Sequence, residues 1–244
     1  MKIIGHKTFL QRVGERPRVL LRIDTDAGIS GWGEAFNHGP DRALPPAIDY
    51  FLGQVAGQDP RRIEFIMQKL ARAARFPQGA LGLAAFGAID LALWDISTKA
   101  AGLPVYMLLG GNARDRIQVY GGVAKGPGEA AAARDMIEAL HGEHGVTAVE
   151  LHPMGAEVHS RRWGQVVDEL GAFLVGLREH FDDAWEFAVD IKGIPGDVSR
   201  SVRLADAIAD ADLMFLEEPM QPWNIPAWAA LRAKLGIPLA TGYV

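Results

Sequence analysis

The sequence predicts an α/β protein in which a small α+β unit is followed by a parallel sheet flanked by helices. Within roughly the first hundred residues, a strand hairpin precedes several helical patterns. After Gly110-Gly111-Asn112, strands and helices alternate in repeats of roughly 25–40 residues. Because parallel neighbours need a crossover connection, such repeats imply a parallel sheet, either an open doubly wound sheet or a barrel.

The α+β unit contains a predicted hairpin. Residues 18–25 suit a strand, Asp26-Ala27-Gly28 suits a turn, and residues 29–34 suit the returning strand.

Two helices are predicted after the hairpin. Asp59 is a suitable N-cap and Pro60 a suitable first helical residue. Apolar residues then recur with helical spacing, at Ile63, Ile66, Met67 and Leu70. A longer helix, rich in Ala and Leu, covers roughly residues 80–100 and is stopped by Gly102 and Pro104.

The parallel unit is predicted to contain five strands. The candidate strands are residues 117–121, 146–152, 187–192, 213–217 and 238–242. The helices between them lie near residues 127–140, 158–180, 199–210 and 224–235. No G-x-G-x-x-G motif or P-loop is present, which disfavours an unrelated open sheet that binds a nucleotide.

Composition argues against several classes of protein. The chain has 244 residues, a net charge of −5 and no cluster of Lys and Arg, so no nucleic-acid partner is expected. Cys is absent, which excludes disulfides and thiolate metal sites and is compatible with a cytoplasmic location. The polar N-terminus is unlike a signal peptide. The apolar run at 79–92 is broken by Asp90, so we expect a buried helix and no membrane segment.

Polar residues end three of the predicted parallel strands, where the active sites of parallel sheets and barrels lie. The three ends are Glu150-Leu151-His152, Asp190-Ile191-Lys192 and Glu217-Glu218-Pro219. Asp190 and Glu217 directly follow apolar strands, where a carboxylate is costly unless it is paired or binds a cation. Two such carboxylates on successive strands favour a Mg²⁺ site. A helix cap or a salt bridge is the alternative for each.

Motifs along essentially the whole chain carry a family resemblance. They are TDAGISGWGEA at 25–35, AIDLALWDISTKAAGLPV at 88–105, LLGG at 108–111, VYGG at 119–122, the Asp190 strand, LEEP at 216–219 and PLATG at 238–242. In this order they resemble the enolase superfamily, in its mandelate racemase/muconate lactonizing branch. The Asp190-x-Lys192-Gly193 and His152-Pro153-Met154-Gly155 segments most resemble the galactonate-dehydratase-like group.

The resemblance implies a capping α+β domain, residues 1–112, followed by a partial TIM-type (β/α) barrel of about five strands, residues 113–244. It implies Mg²⁺ on three carboxylates, with Asp190 as the first, Glu217 as the second, and Glu218 supporting the site rather than binding the metal. The implied reaction abstracts a proton α to a carboxylate and eliminates water from a small sugar acid. Racemisation and cycloisomerisation are the alternatives within the family.

Three positions depart from the family's pattern. Tyr243 stands where the third carboxylate is expected, and a neutral phenol should weaken or abolish Mg²⁺ binding. His152 ends a strand that usually carries a Lys base, and it can act as a base near neutral pH. Lys192 replaces the usual His or Asn. It can act as a base if it is desolvated, but an ion pair with Asp190 or Glu150 is the favoured interpretation.

The resemblance also predicts that the chain is truncated after the fifth barrel strand. A sheet with an open edge tends to associate or aggregate, so a homo-oligomer is expected. The chain as written is then expected to be weakly active or inactive. The alternative from a different class of protein is a non-catalytic remnant or binding protein.

Overall fold

The structure, a computed structural model, divides into two compact units, Met1–Asp115 and Arg116–Val244. It describes residues 1–13, 16–36, 39–73, 75 and 78–242. The first unit is an antiparallel sheet packed against helices, and the second is a parallel sheet packed against helices. This is the predicted fold class.

The sheet of the first unit has three antiparallel strands in the order β1-β2-β3. They are β1 (Ile3–Val13), β2 (Arg16–Thr25) and β3 (Ser30–Ala35). The predicted hairpin is β2 and β3, with Gly28 at a φ of 73° in the turn between them. Strand β1 was not predicted. It is an edge strand in which Ile3 is buried while Ile4 and Leu10 are exposed, so its sequence shows no apolar face.

The described part of the first unit also contains the α-helices α1 (Leu44–Gly53), α2 (Ile63–Ala71), α3 (Gly79–Ala101) and α4 (Val105–Leu108). The predicted start of α2 at Asp59-Pro60 was wrong, because the helix begins at Ile63. The Asp59 carboxylate instead accepts hydrogen bonds from the backbone N–H and the guanidinium of Arg61. It therefore closes a turn before the helix rather than capping it.

Helix α3 lies directly on strand β3. A Cβ at Gly31 or Gly33 would stand 2.0 or 1.9 Å from a helix carbonyl oxygen, so only Gly permits this approach. The helix ends at Gly102, whose φ of 67° is that of a left-handed cap, as predicted. Among the described residues α3 is the one helix long and apolar enough to span a membrane, which the sequence analysis did not anticipate. Its apolar side chains form part of the core of the first unit.

The second unit contains five parallel strands in the order β4-β5-β6-β7-β8. They are β4 (Gly121–Val123), β5 (Ala148–Leu151), β6 (Glu186–Asp190), β7 (Phe215–Glu217) and β8 (Leu239–Ala240). Every crossover advances by one strand in the same direction, so the order never reverses as it does in a doubly wound sheet. The sheet is a partial (β/α) barrel.

The helices of the second unit are α5 (Ala130–His144), α6 (Trp163–His180), α7 (Val198–Ala207) and α8 (Ile225–Arg232). They share one core with one face of the sheet, including Val149, Leu151, Phe187, Val189 and Leu216. The first strand was predicted too early, because Ile117 and Val119 are exposed and precede β4.

Arg178 fixes the loops that lead into two of these strands. Its guanidinium donates to the carbonyl oxygens of Ala211, Asp212 and Trp185 at 3.1, 3.1 and 2.9 Å, and it lies over the ring of Phe187. These contacts tie α6 to the segments before β6 and β7. The amino ends of the two strands are thereby held against α6.

Candidate active site

Two carboxylates stand side by side at the carboxyl ends of β6 and β7. Asp190 pairs with Glu217 in the parallel ladder, as the position of both after apolar strands predicts. The Asp190 side chain is 1% exposed. Its Oδ1 accepts a hydrogen bond from the backbone N–H of Lys192 at 2.8 Å, whereas its buried Oδ2 has no hydrogen-bond partner. An unpartnered buried carboxylate oxygen is costly, and a cation would relieve that cost.

His152 lies between Asp190 and a third carboxyl group, Glu150. The Nδ1 atom of His152 is 3.3 Å from Oδ2 of Asp190, and its Nε2 is 3.5 Å from Oε2 of Glu150. Neither contact counts as a hydrogen bond, and Nδ1 is itself a buried atom without a partner. The structure thus brings His152 next to the carboxyl groups of Asp190 and Glu150.

Negative charge accumulates on this face of the sheet. Burial raises the pKa of Glu217 to about 7, with further contributions from a hydrogen bond to Glu150 and from the charges of Glu150, Asp190 and Glu218. The charge of Glu150, then burial and the charge of Glu217, also raise the pKa of the Tyr120 hydroxyl. The arrangement favours a bound cation, since none of these shifts is offset by a neighbouring Lys or Arg.

The donor set of this face fits Mg²⁺. In the part of the chain that the structure describes, no three His, Asp or Glu side chains converge closely enough to hold a metal ion by themselves. Mg²⁺ commonly keeps several waters and uses only one or two carboxylates. The unpartnered Oδ2 of Asp190 and the carboxyl group of Glu217 supply two such hard donors from adjacent strands.

Lys192 does not occupy the place that the sequence analysis gave it. The favoured interpretation of its sequence position was an ion pair with Asp190 or Glu150. Instead, β6 ends at Asp190, and Lys192 has a φ of 51°. Lys192 therefore lies beyond the end of the strand, and the alternation of side chains along β6 does not extend to it. Lys192 is exposed and forms no ion pair with any described residue. Its charge is therefore available to a ligand.

Glu218 is used by the neighbouring strand. It has a φ of 47° and is 2% exposed. Its Oε1 accepts hydrogen bonds from Oγ1 of Thr241 at 2.8 Å and from the backbone N–H of Gly242 at 2.9 Å. The side chain thus holds the end of β8 in place, which accords with a supporting role. Tyr243, the predicted third metal position, lies outside the described residues.

The sequence analysis missed two features of this region. Tyr120 was noted only as part of a motif, yet the charges of Glu150 and Glu217 raise the pKa of its hydroxyl. The effect of Glu150 on the pKa of Glu217 was also missed. The alternation of side chains along β5 to β7 places Glu150 on the same face as the two candidate ligands, so counting that face would have revealed the third carboxyl group.

A cleft opens beside these residues at the carboxyl ends of β4, β5 and β6. Its volume is about 440 Å³. His152 and Lys192 both line it, together with the segments 126–129 and 153–155. His152 therefore lies within 3.5 Å of Asp190 and Glu150 and also lines the cleft, so it connects the cleft with the carboxylates.

Two family models match the chain. The mandelate racemase/muconate lactonizing enzyme N-terminal domain matches residues 2–110, and the enolase C-terminal domain-like model matches residues 130–243. D-galactonate dehydratases are among the curated relatives. That of Variovorax paradoxus is 35% identical over 243 residues, which are 99% of this chain and 61% of the relative. That of Verminephrobacter eiseniae is 35% identical over 230 residues, or 92% of this chain and 57% of the relative.

Solved structures of the same superfamily share the fold. A presumed galactarate dehydratase of Agrobacterium radiobacter, an enolase solved with Na and L-malate bound, is 46% identical with a TM-score of 0.92. The match covers 99% of this chain and 61% of that one. A presumed dehydratase of Mesorhizobium loti is 29% identical, with a TM-score of 0.87 and coverage of 99% and 66%. The chain thus spans about three fifths of the length of these relatives.

Proposed function

The chain belongs to the mandelate racemase/muconate lactonizing enzyme family of the enolase superfamily, and we propose that its activity is the Mg²⁺-dependent dehydration of a sugar acid. The observation that carries this proposal is the pair of Asp190 and Glu217 on adjacent strands, with a buried oxygen of Asp190 that lacks a partner. The curated relatives named D-galactonate dehydratase support the choice of reaction.

In the proposed mechanism Asp190 and Glu217 hold the metal through their carboxylate oxygens. When bound, Mg²⁺ supplies a Lewis acid for the carboxylate of the substrate, which makes the neighbouring C–H bond more acidic. Tyr243 stands where the family carries its third carboxylate, so the affinity for Mg²⁺ is expected to be weak. Glu218 supports this site from the side by holding the Thr241-Gly242 backbone.

His152 is the chain's own candidate for moving a proton. Its ring nitrogens face Glu150 and Asp190, so both carboxylates can accept from the imidazole when it carries two protons. The elimination breaks the C–H bond α to the carboxylate and the C–O bond of the adjacent hydroxyl, forms a carbon–carbon double bond, and releases water. The ring of His152 also lines the cleft, where it can reach a substrate hydroxyl.

The reaction is tested by its product. Loss of water from a 2,3-dihydroxy acid gives an enol that becomes a 2-oxo acid, which can be measured in a panel of aldonic and aldaric acids with and without Mg²⁺. We expect Mg²⁺-dependent formation of the 2-oxo acid that is lost in Asp190→Asn and retained in Asp206→Asn, whose side chain is exposed on α7. Exchange of the α-proton without a 2-oxo product would instead indicate racemisation or cycloisomerisation.

Two further properties belong to the same proposal. Sugar acids are small soluble metabolites, which supports a cytoplasmic location. Exposed apolar residues such as Trp223 and Ile225, which are 76% and 68% exposed, support a homo-oligomer. Cell fractionation and light scattering of the purified protein test these two expectations.

A further inference from the structure

The cleft beside the carboxylates contains charged groups that are almost all engaged. Glu169 is paired with Arg161, and Glu129 is paired with Lys125 at 2.6 Å. Glu157 accepts a hydrogen bond from the backbone N–H of Gly155 at 3.2 Å. These three carboxylates thus have partners within the protein, so they do not favour a further bound cation in the cleft.

Lys192 is the exception among the charged residues of the cleft. It lines the same cavity, it is exposed, and it forms no ion pair with any residue that the structure describes. An ammonium group that stays solvated in a polar cleft can bind an anionic ligand group without breaking an existing pair.

The backbone holds Lys192 in a defined place. Its φ of 51° is unusual for a residue other than Gly. The next residue, Gly193, donates its backbone N–H to the carbonyl oxygen of Glu218 at 2.7 Å, while the N–H of Lys192 itself binds Asp190. The Cα atoms of Lys192 and Asp190 are at most about 7.6 Å apart, because two peptide steps separate them. The backbone thus holds Lys192 close enough to the candidate metal site for one small ligand to contact both.

We propose that Lys192 binds the second carboxylate of an aldaric acid, so that the substrates of this chain carry a carboxylate at both ends. This inference rests on the proposed function, because it takes the first carboxylate of the substrate to be the one beside Asp190 and Glu217. An aldonic acid has a neutral hydroxymethyl group at its far end and gains nothing from an ammonium group there. Lys192 is then a specificity-determining residue rather than a base.

The test compares the binding of galactarate, which has two carboxylates, with that of galactonate, which has one. Dissociation constants are measured by titration calorimetry in excess Mg²⁺ for the wild type, Lys192→Gln, Lys192→Arg and Lys234→Gln. Gln keeps an unbranched side chain at the unusual φ but removes the charge, whereas Arg keeps the charge. Lys234 is an exposed lysine after helix α8 and serves as the matched control.

We expect the wild type to bind galactarate about tenfold more tightly than galactonate, because galactarate gains one hydrogen bond between charged groups in a partly solvated site. Lys192→Gln should remove this preference by weakening galactarate binding about tenfold while changing galactonate binding by less than about twofold. Lys192→Arg and Lys234→Gln should retain it.

Other outcomes distinguish a failure of the Lys192 assignment from a failure of the dehydratase proposal. If Lys192→Gln leaves galactarate binding unchanged, or weakens both ligands equally, the assignment of Lys192 is wrong while the dehydratase proposal stands. If the wild type binds neither sugar acid in excess Mg²⁺ although it binds the metal, the sugar-acid proposal itself fails, and the assignment of Lys192 fails with it.

Discussion

Glu217→Gln should stabilise the metal-free protein, and it should do so only at neutral and alkaline pH. The pKa of Glu217 rises from the ordinary 4.5 to about 7, first through burial and then through Glu150 and Asp190. The folded protein therefore keeps this proton between about pH 4.5 and pH 7, where the unfolded chain has released it. The contribution of Glu217 to stability accordingly falls as the pH rises through this window.

The magnitude follows from the size of that rise. Each pKa unit corresponds to about 1.4 kcal/mol, so ionising Glu217 in the folded protein costs at most about 3 kcal/mol. The side chain is partly exposed, and solvent screening reduces this to an expected value of about 1–2 kcal/mol. Gln has a similar shape and carries no charge, so the variant should exceed the wild type in stability by that amount above pH 7.

Urea unfolding with a chelator present measures this difference. At about pH 8.5 the variant should be more stable, and at about pH 5 the two proteins should differ by less than about 0.5 kcal/mol. A Gln variant that is less stable than the wild type at both pH values would refute the account, because it would show that the ionised carboxylate has a favourable partner in the metal-free protein.

Two other substitutions test the two cores. Gly33→Ala places a Cβ 1.9 Å from the carbonyl oxygen of Ala88, so it should destabilise the first unit by about 3 kcal/mol or more, whereas Gly5→Ala, with nothing within 4 Å, should cost less than about 1 kcal/mol. Equal urea midpoints for these variants would contradict the close packing of α3 on β3. Arg178→Lys removes the fork that reaches four carbonyl oxygens, so it should cost about 2 kcal/mol and lower the thermal midpoint of the second unit. An unchanged midpoint would mean that water replaces those contacts without penalty.

The sequence predicted those parts of the fold in which one physical signal dominates. Gly102 ends α3 as expected because only Gly adopts its left-handed φ at no cost. The hairpin of β2 and β3 was found because its turn lies between two apolar runs. Strand β1 was missed because its partner β2, rather than an apolar face of its own, determines that it forms. The start of α2 was misplaced because Asp59 binds Arg61 instead of a helix N–H.

The candidate site was predictable in its residue types and less so in its geometry. Asp190, Glu217 and His152 come together because parallel strands end at one edge of a sheet. The backbone conformation of Lys192 could not be inferred, because its left-handed φ depends on hydrogen bonds between separate loops. The influence of Glu150 on the pKa of Glu217 was missed for a related reason, since it depends on how the two side chains pack on one face of the sheet.

Calorimetric titration of the metal-free protein with Mg²⁺ tests the central claim most directly. The account predicts one saturable site in the wild type and in Asp206→Asn, and no such site in Asp190→Asn. Asn at position 190 keeps the oxygen that accepts the N–H of Lys192, so the loss of binding would reflect the missing charge rather than a misfolded loop. Saturable binding of the same strength in all three proteins, or in none of them, would contradict the assignment of Asp190 as a metal ligand.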